Sequence, residues 1–250
     1  VASIVAADLV AYHSATQSDA DAIAVGGAID TLRRPDFTQI SANDDIEVIS
    51  TSASDTQNCT ITARAADGTI TSQTAALTGT TAKIFSTMGA SGVVERVLQV
   101  ELASVAIGTI TVRRSVAGAT LRAIPIGERG FSMVFRKTAS DPVSTVNYYA
   151  KIFWKNTNGT NALLSAQVSE SADPAGVITH GLAASVNDSG TTTNRQTAPG
   201  GVTFAGTAAN VPGTDLASGA AIGTWLNMTL AGGAAAIRNT YTSQLAGSTT

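Results

Sequence analysis

The chain has 250 residues, a formal net charge of -3 and only 13% charged side chains, with Ala, Thr, Ser and Gly dominating the rest. Two His and one Cys leave few groups for acid–base, nucleophilic or metal chemistry. Fifteen basic residues spread among eighteen acids exclude the clustered positive surface that nucleic acid requires.

Apolar residues reach 44% at low net charge, which predicts a folded chain with a real core and not a disordered one. No apolar run is long enough for a membrane-spanning helix, so no membrane partner is expected. The opening VASIVAADLVAY lacks a basic start and is interrupted by Asp8, so it does not read as a signal peptide. A single Cys59 makes no internal disulfide, and stability must come from packing and association.

Residues 1–40 show weak periodicity and read as an extended N-terminal arm, with a helical turn near Ala6 to Tyr12 as the alternative. From Asp45 onward the apolar period is two. Cys59, Ile61, Ala63 and Ala65 fall on one face and Thr60, Thr62 and Arg64 on the other, the pattern of a half-buried strand. Asp67-Gly68 supplies a tight turn, and Thr69 to Thr74 returns as the partner strand. Val94, Leu98, Val100 and Leu102 share a face opposite Glu95, Gln99 and Glu101, and Arg96 in that row suggests an edge strand. Gly108 to Val112 is a further short strand, and Phe131, Met133 and Phe135 line another.

The segment Thr138-Ala-Ser-Asp-Pro-Val-Ser-Thr145 has linker composition, and charge is sparse after it. Tyr148, Ala150, Ile152 and Trp154 then alternate with Tyr149, Lys151, Phe153 and Lys155, so both faces of that strand carry rings. Asn158-Gly159 turns into Leu163 to Ser169, and Ile222 to Leu230 forms a late strand. Short strands punctuated by Gly, Asn and Asp predict an all-β protein. The expected organisation is an arm (1–40) and two β-sandwich-like domains, 41–140 and 141–250.

Candidate sites are few. His13 and His180 lie far apart in sequence and share no motif, and both are expected to be surface or partly packed side chains. Asn43-Asp44-Asp45-Glu47 and Asp19-Asp21 place oxygens close together, but the spacing matches no calcium loop and Asp and Asn are ordinary turn residues. No catalytic residue, metal ligand or cofactor site is therefore predicted, and no small-molecule substrate. Trp154 and Trp225, with Tyr149, could form a sugar platform; packing anchors are the preferred reading for Trp154, Trp225, Phe131 and Phe135. The pairs Arg33-Arg34 and Arg113-Arg114 are candidate partner contacts, with ordinary solvated surface as the alternative.

The run Asp44-Asp-Ile-Glu-Val-Ile-Ser50, Asp55, the Asp67-Gly68 hairpin, Leu77-Thr-Gly79 and Gly108-Thr-Ile-Thr-Val112 resemble a β-sandwich module of tailed-phage virion proteins. Lys151-Ile-Phe-Trp-Lys-Asn156, Asn187-Asp-Ser-Gly-Thr-Thr-Thr193 and the run Leu216 to Trp225 are similar to such structural proteins as well. The resemblance implies a non-enzymatic protein of a phage particle. Its nearest type is a head decoration or cement protein, made in the host cytoplasm and seated on the capsid surface. Its implied partners are the major capsid protein and copies of itself, with a trimer the natural arrangement on an icosahedral shell. A minor tail, head–tail junction or fibre protein and a carbohydrate-binding adhesion module are the alternatives.

Overall fold

A computed structural model describes residues 3–138, 142–233 and 240–249. The protein is all-β: among the described residues a 3-10 turn, Ala6–Asp8, is the one helical element, and the rest is strand and loop. The chain divides into two compact units. One comprises Val1–Asp30 with Val134–Thr250, the other Thr31–Met133.

The Thr31–Met133 unit packs two antiparallel-rich sheets on a common core. In one, β4 (Ile46–Ser50) lies between β7 (Lys83–Phe85) and β9 (Ile110–Arg114), with β10 (Thr120–Ile124) beyond β9. In the other the order is β3 (Arg33–Arg34), β11 (Gly130–Ser132), β8 (Val94–Leu102), β5 (Asn58–Ala65), β6 (Ile70–Ala76). Ile46, Val48, Ile110 and Val112 of the first sheet meet Cys59, Ile61, Ala63, Val97, Val100 and Phe131 of the second, all essentially without exposure. That arrangement is sandwich-like packing of inner faces.

The β5–β6 hairpin follows the alternation in the sequence. Cys59, Ile61, Ala63 and Ala65 are each 0% exposed, and the intervening side chains face outward. Gly68 takes φ 87° at the turn, a region that L side chains avoid, and the Asp67 carboxylate accepts the Thr69 N–H at 2.9 Å. Strand β8 departs from expectation: it lies inside the sheet, between β11 and β5. Its register against β5 shifts between Thr62 and Ala63 and again between Arg64 and Ala65, so Arg96 sits at a bulged stretch opposite Arg64. A bulge re-aims a side chain, which is how an interior strand tolerates the arginine. The strand expected through Phe135 stops at Ser132.

The other unit is discontinuous in sequence. Its five-stranded sheet has the order β14 (Ile178–Val186), β16 (Ala221–Leu230), β12 (Val146–Asn156), β1 (Leu9–Thr16), β2 (Gly26–Asp30). A three-stranded sheet, β15 (Ala209–Asn210), β13 (Leu164–Ala172), β17 (Thr242–Ser248), supplies Ala166, Val168 and Leu245 to a core shared with Ile222, Leu9, Trp154 and Leu182. The first thirty residues are therefore not an extended arm. β1 is an interior strand paired to β12 from Leu9↔Asn156 to His13↔Ile152 and to β2 on its other side. Ala11 and Tyr12 are buried there. The weak periodicity has a physical cause: a strand covered on both faces carries no polar–apolar alternation. The domain limits shift accordingly, from 40/41 and 140/141 to Asp30/Thr31 and Met133/Val134.

Candidate functional site

Strand β12 runs through the middle of the five-stranded sheet and directs alternate side chains to its two faces. On one face Lys151, Phe153 and Trp225 gather, because Lys151 pairs with Trp225 and Phe153 with Gly223 across β12 and β16. Lys151 is a basic side chain with 0% exposure. Its ammonium donates to the Gly27 carbonyl at 3.1 Å, the Asp188 carbonyl at 3.2 Å and the Gly190 carbonyl at 3.3 Å, and it forms an ion pair with the Asp188 carboxylate. The Phe153 and Trp225 rings stand 4.8 and 5.3 Å away. Burial pushes the Lys151 ammonium below the ordinary lysine value, and Asp188 draws it part of the way back by hydrogen bond and charge. Gly223 makes room: a Cβ there would lie 2.6 Å from Lys151 Cε.

These contacts describe a lock. The ammonium ties β2, through Gly27, and the loop after β14, through Asp188 and Gly190, onto the central strands. Beside it Arg195 donates to the Asp21 carboxylate at 2.9 Å and stacks its guanidinium 4.3 Å from the Tyr148 ring. Arg136 reaches Asp19 at 3.2 Å. A cavity of about 20 Å3 is lined by Lys151 together with His13, Tyr148, Phe135 and Arg195 among others, room for about one water molecule.

Both histidines are packed more fully than the surface or partly packed placement expected: His13 and His180 are each 1% exposed. They lie on β1 and β14, with β12 and β16 between them, a separation of roughly 14 Å at the usual strand spacing. One proton cannot be shared over that distance. The acidic runs are also dispersed onto partners within the chain. Asp44 pairs with Arg114 at 2.8 Å, Glu47 with Arg113 (Nε–Oε1 2.7 Å), Asp19 with Arg136 and Asp21 with Arg195. Among the described residues no three His, Cys, Asp or Glu side chains converge on a metal-sized site.

The four arginines singled out as partner contacts are engaged internally. Arg33 forms a bidentate pair with Glu101, both bonds 2.8 Å, and Arg129 adds a third contact to the same carboxylate at 3.1 Å. Arg34 meets Glu128 at 2.8 Å, and Arg113 and Arg114 hold Glu47 and Asp44. Their charge is spent inside the unit, so they form no open positive patch. The packing anchors divide. Phe131 is 0% exposed against Phe37, with ring centroids 4.7 Å apart, and Trp225 is 2% exposed. Trp154 is half-buried against the smaller core, and Phe135 is half-buried at the cavity. Trp154 and Trp225 occupy opposite faces of one sheet, since Trp154 pairs with Ile222 while Trp225 pairs with Lys151. The two indoles cannot build one sugar platform.

Sequence reasoning missed Lys151 and Asp55 as organising groups. Asp55 is 0% exposed and accepts the Ile107 N–H at 2.9 Å, the Gly108 N–H at 2.8 Å, the Ser50 hydroxyl at 2.5 Å and the Gln57 amide at 3.1 Å. A lone acid in a Ser/Thr loop and a lysine between aromatic residues were the available signals. Comparison of the chain with family models, with curated proteins and with solved structures finds no match.

Proposed function

We propose that this protein is a non-enzymatic structural component of a virus particle: a decoration or cement protein on the head of a tailed phage. In this reading it binds between major capsid protein subunits and stabilises the shell. The observation that carries the proposal is where the polar groups go. Among the described residues, ten basic side chains form ion pairs with the chain's own acids. Strands such as β6 and β17 present Thr, Ser, Gln, Ala and Gly outward. Surfaces of that kind pack against a neighbour without stripping water from charges, whose desolvation opposes association. The resemblance of Asp44–Ser50, the Asp67-Gly68 turn and Lys151–Asn156 to phage virion proteins points the same way. With β1 inside a sheet, contacts to the capsid are made by the folded bodies and not by an N-terminal arm. Many weak copies then stabilise the shell by mass action.

The test is to mix the protein with undecorated heads and measure co-sedimentation and resistance of the heads to heat. Saturable binding at hundreds of copies per particle, with raised resistance, is the expected result. A handful of copies at one vertex or on the tail would make it a junction, tail or fibre protein, and failure to bind any head form would reject the proposal.

A further inference from the structure

Among the described residues the sheet edges are managed with one exception. β14 is covered where His180 and Ala205 exchange hydrogen bonds of 3.1 and 2.9 Å. β2 is met by the 190–191 loop, with the Gly27 N–H on the Gly190 carbonyl at 2.9 Å, and β10 by Thr38, whose N–H reaches the Leu121 carbonyl at 3.0 Å. β3 and β15 are two residues long and β7 three, while the pairing of β17 with β13 slips twice, each time by an extra residue in β13. Short length, bulges and covering loops are the usual means by which proteins prevent edges from pairing.

β6 has none of these along its backbone: Thr87 donates its N–H to the Gln73 side-chain carbonyl at 3.2 Å and leaves the outward backbone groups open. The strand runs seven residues, Ile70-Thr-Ser-Gln-Thr-Ala-Ala76, pairs with β5 in unbroken register from Asn58↔Ala76 to Arg64↔Ile70, and carries neither a charge nor a proline. Hydrogen bonds at the two ends of the ladder, Ala65 N–H to Thr69 and Leu77 N–H to Gln57, place the odd-numbered residues of β6 toward β5. The N–H and C=O groups of Ile70, Ser72, Thr74 and Ala76 therefore point away from the sheet, and no residue among those described bonds to them there.

We infer that β6 is an interface strand and that its partner is β6 of a second copy of this chain, added antiparallel about a two-fold axis at Gln73. The alternation of the ladder selects this family of registers, because only even-numbered residues present outward groups and these must meet one another. Centred on Gln73, Ser72 pairs with Thr74 of the second copy and Ile70 with Ala76. No charge faces a charge in that pairing. Hydroxyl contacts already cross the hairpin from Thr62 to Ser72 and from Thr60 to Thr74, each 2.8 Å. The new pairs extend both into continuous rows, Thr62–Ser72–Thr74–Thr60, across the joint. Ile70, 53% exposed, gains the Ala76 methyl as a neighbour. The two five-stranded sheets become one, an isologous contact of the self-complementary type.

This pairing stands apart from the virion proposal, and its test uses the isolated protein. Sedimentation equilibrium of the full chain gives a reversible monomer–dimer transition. Ser72→Pro removes one outward N–H while sparing the bonds to β5, and weakens dimerisation by about tenfold or more. Gln73→Cys, at the axis, forms an interchain disulfide on mild oxidation, because non-hydrogen-bonded antiparallel pairs bring Cα atoms within disulfide range. Burial of Cys59 against thiol reagents reports that each variant is folded. A chain that stays monomeric at on the order of 100 µM, or a dimer that Ser72→Pro leaves intact and Gln73→Cys does not crosslink, overturns the inference. Either result leaves head binding to be judged on its own experiment.

Discussion

Asp55 shows how one side chain can organise a loop. Burial alone would raise its carboxyl, but bonds from the Ile107 N–H, the Ser50 hydroxyl, the Gly108 N–H and the Gln57 amide together hold it below the ordinary aspartate value of 3.8. A depressed folded value means that the ionised group stabilises the fold at pH above the unfolded value, and that this contribution is lost as pH falls through the folded value. Stability of the Thr31–Met133 unit is therefore expected to be level from neutral pH down to about 4 and to decline below it. Asp55→Asn presents an amide N–H2 to the same donors. It should cost about 2–4 kcal/mol at neutral pH and flatten the acid limb of the stability curve, as urea unfolding measured across pH would record. Ser50 and Gln57 are near Asp55 in sequence, but its burial and its two backbone donors are not visible there, because Ile107 and Gly108 lie more than fifty positions away. Lys151 is similar: the carbonyls of Gly27 and Gly190 reach it only through the sheet.

At the level of elements, the best-read piece is the β5–β6 hairpin, whose faces, turn and partners follow from period two and Asp67-Gly68. Local chemistry suffices there because both strands and their turn are contiguous and one face is exposed. The turn should accordingly be sensitive at Gly68. Gly68→Val forces a β-branched side chain to φ near 87° and is expected to destabilise the unit by about 1–2 kcal/mol. The readout is a lower denaturant midpoint for exposure of Cys59. That thiol is a sound reporter, since burial, aided by Glu101, pushes it up to about 12, and it stays inert at neutral pH until the unit opens. β8 and β1 were harder to read for opposite reasons. Arg96 in β8 mimics an edge residue because a bulge is a tertiary correction of register. β1 hides because its two covered faces erase the alternation that marks half-buried strands.

For the whole molecule, the decisive feature is that the chain begins one unit, builds another from Thr31 to Met133 and then returns to complete the first. The linker-like segment 138–145 lies beyond the return at Val134, and the departure near Asp30 has no comparable signal. The division places both tryptophans in the discontinuous unit and the one cysteine in the inserted one. Deleting residues 1–16 removes β1 from between β12 and β2. The expected outcome is a shift of tryptophan emission to longer wavelength as Trp154 and Trp225 become solvated, with Cys59 still protected. Unchanged emission would restore the reading of these residues as a dispensable arm.

The order of the amino acids is enough for the all-β class, the position of most strands after residue 45 and the inward face of β5. Those properties depend on contiguous residues, whose alternation and turn chemistry act over a few positions. The tertiary structure alone decided that the first thirty residues complete a distant sheet, that the arginine pairs answer the chain's own acids, that Trp154 and Trp225 face apart and that β6 is the one long edge left regular and uncovered among the described strands. Each depends on partners brought together by strand pairing across many residues, where register and burial, not local propensity, choose the contact.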